Sequence, residues 1–152
     1  MNKIIKYILI LSFIFLTCCG YEAVLNNQNY KFSLNIDKIN GDQKINSLII
    51  NNFEQLKENE IKYYLTLTSN KEKTIISKDS KGDPSIFELK ISVNYVVKQD
   101  GKALVTNKIN KKTTYNNITD KFELENYEKS IINNLVSEIS NNIILAISNI
   151  SE

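Results

Sequence analysis

The chain is 152 residues long, and its 19 basic against 17 acidic residues leave a formal net charge of +2 with no histidine and no tryptophan. This length suits one domain with a real hydrophobic core, and the near-neutral balance, all of its positive side lysine, lacks the basic footprint of a nucleic-acid binder, so no nucleic-acid partner is expected. Without histidine there is no Ser-His-Asp or Cys-His arrangement and no imidazole ligand for a metal, which excludes most familiar catalytic chemistries.

Lys3 and Lys6 form a positive leader, and Tyr7 to Leu16 are apolar apart from Ser12, so residues 1–18 read as a secretory signal peptide. The run is shorter than the roughly 20 apolar residues that a membrane-spanning helix needs. It closes on Leu16-Thr17-Cys18-Cys19, which resembles the bacterial lipobox: an aliphatic residue at −3, small residues at −2 and −1, then the lipidated cysteine. Cys19 fits that pattern better than Cys18, which would place Phe15 at −3. The thiol of Cys19 would carry a diacylglycerol thioether and its freed amine a further acyl chain, and two or more chains anchor a protein stably. The alternatives are an ordinary cleaved signal with a leftover cysteine pair, or an uncleaved short anchor. A disulfide between adjacent cysteines would be strained. Loss of residues 1–18 would remove two lysines and bring the charge from +2 to about zero. Residues 19–29 then form a polar, lipid-anchored tether, and residues 30–152 the folded domain.

In the domain, Phe32, Leu34 and Ile36 alternate with polar residues and predict a half-buried strand. Asn40-Gly41-Asp42 ends it, with Asp42 as N-cap of a helix whose apolar face is Ile45, Leu48, Ile49, Phe53 and Leu56, running to about Glu58. Ile61, Tyr63, Leu65 and Leu67 return to period two; with the polar stretch at Ser69 to Lys73 before Thr74-Ile75-Ile76, they predict one long strand with a bulge or two short ones. Ser80-Lys81-Gly82-Asp83-Pro84 is a turn. The alternation from Phe87 to Val97 predicts a strand with one core face and one wet face, and Asp100-Gly101 a two-residue hairpin into a strand from Ala103 to about Tyr115. Asp120 and Glu123 resemble a capping box, opening a final helix striped by Ile132, Val136, Ile139, Ile143, Ala146 and Ile150. That stripe suits core packing better than a coiled-coil seam. Tyr63-Tyr64 and Ile143-Ile144-Leu145 are expected in the core.

The order β-α-β-β-β-α implies an α+β fold: a two-layer sandwich, a mixed or antiparallel sheet of about four strands with both helices packed on one face.

Taken together, the lipobox with Cys19-Gly20-Tyr21, this element order and the strand Phe87-Glu88-Leu89-Lys90-Ile91-Ser92-Val93-Asn94-Tyr95 resemble the LptE family of lipopolysaccharide-assembly lipoproteins. The resemblance covers nearly the whole chain and rests on the conjunction, since each motif alone is generic. It implies a non-catalytic protein tethered to the periplasmic leaflet of the outer membrane. There it would plug and help assemble a large LptD-like β-barrel and help deliver lipopolysaccharide to the cell surface. Gly20 after the lipidated cysteine fits outer-membrane sorting, and a neutral domain with a wet sheet face suits a polar barrel lumen. The partners implied are the barrel, lipopolysaccharide and, through the anchor, the membrane; no cofactor is implied beyond the acyl groups on Cys19. Basic residues at the sheet end meet lipid phosphates in this family, which makes Lys78, Lys81, Lys111 and Lys112 the candidate lipopolysaccharide contacts. With no arginine in the chain, bidentate phosphate recognition is absent.

Two other classes stand beside this. A glycosidase would need a carboxylate pair drawn from Asp79, Asp83 and Glu88, and nothing in the pattern buries or spaces them for that chemistry. Another periplasm-facing outer-membrane lipoprotein, such as a cell-wall synthase activator or part of a different lipid-transport system, is the closer alternative.

Overall fold

The computed structural model describes residues 30–56 and 60–151. The signal segment, the tether and Cys19 lie outside the described residues. The elements are β1 (Phe32–Gly41), α1 (Gln43–Asn52), a short 3₁₀ turn (Glu54–Leu56), β2 (Ile61–Lys78), β3 (Pro84–Gln99), β4 (Lys102–Asn116) and α2 (Lys121–Ser151). This is the expected α+β order. The sheet runs β1-β2-β3-β4, with β1 parallel to β2 and the remaining pairs antiparallel. The one parallel pair is the one that a helix connects, as a crossover requires.

Local chemistry sets the boundaries. Gly41 has φ of 92°, and a Cβ there would sit 1.8 Å from the carbonyl oxygen of Ser69. Only glycine fits this close approach, so β1 ends there and the chain turns off the sheet. Asp42 then caps α1, its Oδ1 accepting the Ile45 N–H at 3.0 Å. Asn46 locks the corner: its Nδ2 donates to the Asn40 carbonyl at 3.0 Å, and its Oδ1 accepts from the buried Ser69 hydroxyl at 2.7 Å.

The helix is shorter than the sequence pattern implies. It stops at Asn52 because Asn51-Asn52 are poor helix formers, and the tighter 3₁₀ turn still brings Phe53 and Leu56 into the core. The expected end near Glu58 lies outside the described residues.

Between Ile61 and Lys78 the chain forms a single strand, with register shifts between Ile75 and Ser77 and between Ser77 and Lys78. The β3–β4 hairpin turns on Asp100 (φ 50°) and Gly101 (φ 77°), the paired positive φ values of a two-residue turn that follows strand twist. At the start of α2, Asp120 Oδ1 accepts the N–H groups of Phe122 (2.8 Å) and Glu123 (2.9 Å).

The helices touch each other and cover one sheet face, α1 over β1 and β2, α2 over β3 and β4. Leu65, Leu67, Ile91, Val93, Val97, Ile139, Ile143 and Ile147 are buried between the layers. The α2 stripe follows the expected positions through Ile143 and then departs. Ile144 and Ile147 are buried, whereas Ala146 is half-buried and Ile150 exposed, because a 3.6-residue helix drifts away from a strict four-three repeat. Its burial against the sheet settles the coiled-coil alternative in favour of the core. Two core expectations fail for a similar reason: Tyr64 and Leu145 are exposed while their neighbours Tyr63 and Ile144 are buried, since adjacent residues leave a strand or helix in different directions.

Candidate functional site

The β2–β3 hairpin ends in a turn organised by Asp79. Its Oδ1 accepts the backbone N–H groups of Lys81 and Asp83, both at 2.9 Å, and its own N–H donates to the Asp83 carbonyl at 2.8 Å. This local satisfaction is the structural role of Asp79. Gly82, with φ of 89° and open space where a Cβ would lie, completes the turn. Lys78 and Lys81 flank it, exposed and with no ion-pair partner among the described residues. They stand together at the end of the sheet away from the start of β1, in a turn that also holds Asp79 and Asp83.

Lys111 and Lys112 do not join that pair. In register, Lys111 stands opposite Ile91 and Lys112 opposite Lys90, while Lys78 stands opposite Pro84. Six to seven positions along β3 separate Lys111 and Lys112 from Lys78, about 20 Å or more at strand rise. The two residues also face opposite ways. Lys111 lies on the helix side, 2.9 Å from Glu138 of α2, and Lys112 on the open side, 2.8 Å from Glu88. The four lysines are therefore three sites, and only Lys78 and Lys81 stand together.

The open sheet face is wet and carries more lysines than carboxylates. Thr68, Asn70, Ser92, Asn94 and Asn110 occupy its middle, and three opposite-sign pairs cross it, Lys90 with Glu72 (3.7 Å), Lys112 with Glu88, and Lys98 with Asp37 (3.0 Å), while Lys62 and Lys108 stand on it with no ion-pair partner among the described residues. A hydrogen bond from Lys98 and its charge, with a further hydrogen bond from Thr66, hold the Asp37 carboxyl below its ordinary value.

A cluster on the helix side has no counterpart in the sequence reading. Glu128 of α2 accepts from Lys73 of β2 at 2.5 Å and from the Tyr115 hydroxyl of β4 at 2.7 Å, and the Lys73 ammonium lies 4.1 Å from the centre of the Phe87 ring. Tyr115 packs against both Phe87 and Tyr127. Burial alone would raise the Glu128 pKa, but the hydrogen bonds from Lys73 and Tyr115 and the charges of Lys73 and Lys71 outweigh it and hold it low. Burial first, then the hydrogen bond to Glu128 and its charge, push the Tyr115 phenol well up. The residues come from four elements, so no spacing in the sequence announces them. Their chemistry is that of a staple fixing the first turns of α2 to the sheet.

Among the described residues, no group of three metal-ligating side chains is assembled, and no helix is long and apolar enough to cross a membrane.

No family model and no curated protein matches the sequence. Solved structures do match in fold. The chain is similar to rare lipoprotein B from Shewanella oneidensis, with 13% identity, a TM-score of 0.57, and 76% of this chain covered against 96% of that one. It is also similar to lipoprotein B from Nitrosomonas europaea, with 12% identity, a TM-score of 0.58, and coverage of 88% and 93%. A minor lipoprotein from Acinetobacter baumannii shows 11% identity, a TM-score of 0.55, and coverage of 79% and 92%. At these identities the likeness is one of fold: the domain has the architecture of solved bacterial lipoproteins.

Proposed function

We propose that this is an outer-membrane lipoprotein, anchored through Cys19 in the periplasmic leaflet, that plugs and helps assemble an LptD-like β-barrel for lipopolysaccharide transport. The observation that carries the reading is the conjunction of the lipobox at Leu16-Thr17-Cys18-Cys19 with a fold that solved bacterial lipoproteins share. The wet open sheet face supports it, because polar side chains such as Thr68, Asn70, Ser92, Asn94 and Asn110 suit a polar lumen. The reading is of a binding protein without catalysis or cofactor. Asp79, one of the three carboxylates from which a glycosidase pair would be drawn, accepts from backbone N–H groups of its own turn.

Within this reading the lipid contacts narrow. Lys78 and Lys81 are free to meet phosphate as point charges, whereas Lys111 and Lys112 would first have to leave Glu138 and Glu88.

The test is purification of C-terminally tagged protein from detergent-solubilised membranes, with mass spectrometry of the N-terminal peptide and of co-eluting proteins. Acylated Cys19 and a large barrel protein at near-equal amount are expected. Acylated Cys19 without a barrel would leave a lipoprotein of another system.

A further inference from the structure

β2 is a central strand along half its length and an edge along the rest. β1 pairs with it from Ile61 to Ser69 and stops at Gly41, so Asn70–Lys78 has β3 on one side and, among the described residues, no strand on the other. The helix layer is thin at the same place, where α2 reaches the strand through the Glu128 side chain at Lys73. α1 starts at the Gly41–Asp42 corner beside Ser69 and covers only the half of β2 that β1 pairs. The register shift after Ile75 ends the regular ladder, which leaves six residues, Asn70–Ile75, as an open edge about 20 Å long. Six residues is an ordinary strand length.

Exposed edges are commonly guarded by charged side chains that an incoming strand would have to desolvate. Here the charges of this edge are already engaged within the domain. Lys71 lies 3.8 Å from Asp42, Glu72 3.7 Å from Lys90, and Lys73 is bonded to Glu128. What remains outward is aliphatic: Ile75 and Ile76 are 46% and 53% exposed. The other edges differ. β4 keeps Lys102 and Lys108 with no ion-pair partner among the described residues, and β1 is bent by a bulge between Ile36 and Lys38.

From this we infer that Asn70–Ile75 is a strand-addition site, where an extended and uncharged segment of a partner protein continues the position that β1 vacates at Gly41. The occupant is polypeptide, because a row of free backbone N–H and C=O groups at strand spacing is matched by another extended backbone. It is uncharged, because the nearby charges already have counter-ions, and it carries an aliphatic side chain against Ile75.

Two other occupants fit poorly. In a two-fold pairing with a second copy, opposed residues must share a sheet face. The central registers then set Glu72 against Glu72 with Lys71 against Lys73, or Lys73 against Lys73. The chain's own residues 19–29 span at most about 39 Å when extended. Nearly 30 Å of that is used in travelling from the start of β1, opposite Ile61, to Asn70. The site does not depend on the partner being a barrel.

The test is hydrogen exchange, read by mass spectrometry on peptides covering 70–78, of the full-length protein in its native membranes and after transfer to detergent free of other proteins. The expected result is exchange at least tenfold slower in the membranes, reversed by Ile75→Lys or the milder Ile75→Thr, with 87–97 unchanged as a measure of folding. Equal exchange in both states would overturn the proposal. So would equal slowing along 102–112 of β4, which would mean that the domain is simply enclosed. Because co-elution of a barrel is measured separately, failure here leaves the reading of function standing, and failure of that reading leaves this one standing.

Discussion

The two halves of β2 are one continuous strand in two different environments. From Ile61 to Ser69 it pairs with β1, and from Tyr64 with β3 as well, beneath α1, and Tyr63, Leu65 and Leu67 are buried in strict alternation. From Asn70 to Lys78 it keeps β3 but loses both β1 and the helix, and every side chain is exposed or half-exposed. Strand propensity is weaker across Asn70–Lys73, yet Thr74-Ile75-Ile76 favour a strand as much as the first half does and are still exposed. What differs is the company. Burial is conferred by the neighbours that Gly41 admits or turns away.

The sharpest way to break this contrast is at Gly41 itself. Gly41→Ala forces a Cβ onto the Ser69 carbonyl and a positive φ onto alanine, so a loss of about 4 kcal/mol is expected in urea denaturation. Gly82→Ala is the control: it has a similar φ with open space around it, and about 1 kcal/mol should be lost. Comparable losses at the two positions would show that the corner does not depend on close approach.

Leu65→Ala comes next. Leu65 is fully buried in the enclosed half, and a cavity there should cost about 3 kcal/mol, read as a shift in the denaturation midpoint without change of slope.

The enclosed half and the corner were legible in the sequence because their causes are local. Period two at Tyr63, Leu65 and Leu67, the cap at Asp42 and the turn at Asp100-Gly101 each act within a few residues, and each is found where it was expected. The open half was legible only as a strand. That it is an edge follows from where another strand stops, and the Lys73–Glu128–Tyr115 cluster follows from how three distant segments pack. The grouping of the lysines was partly legible and was missed: period two alone sets Lys111 and Lys112 on opposite faces.

Glu128 tests whether the open half is held by that cluster. Its folded-state pKa is lowered, so its contribution to stability is complete above the ordinary carboxylate range, near 4.3, and is lost as pH falls through the lower folded value. Glu128→Gln should therefore cost about 1 kcal/mol at neutral pH, and the cost should shrink as pH falls through the lowered folded-state value and the wild-type carboxyl becomes protonated. A pH-independent loss would assign the effect to packing.

The smallest expected effect separates stability from binding. In the isolated protein Ile75 is nearly half exposed and lies outside the helix-covered core, so Ile75→Ala should change stability by no more than about 0.5 kcal/mol, a small fraction of the Leu65→Ala loss ten residues earlier in the same strand. A strand that gains its remaining neighbour from another protein should lose more in the complex than alone. Comparing thermal midpoints of wild type and Ile75→Ala in native membranes and in detergent measures that difference. If the variant loses more in membranes, Ile75 is buried there. If the loss is equally small in both, it remains exposed, and the open half of β2 is an edge in the membrane as well.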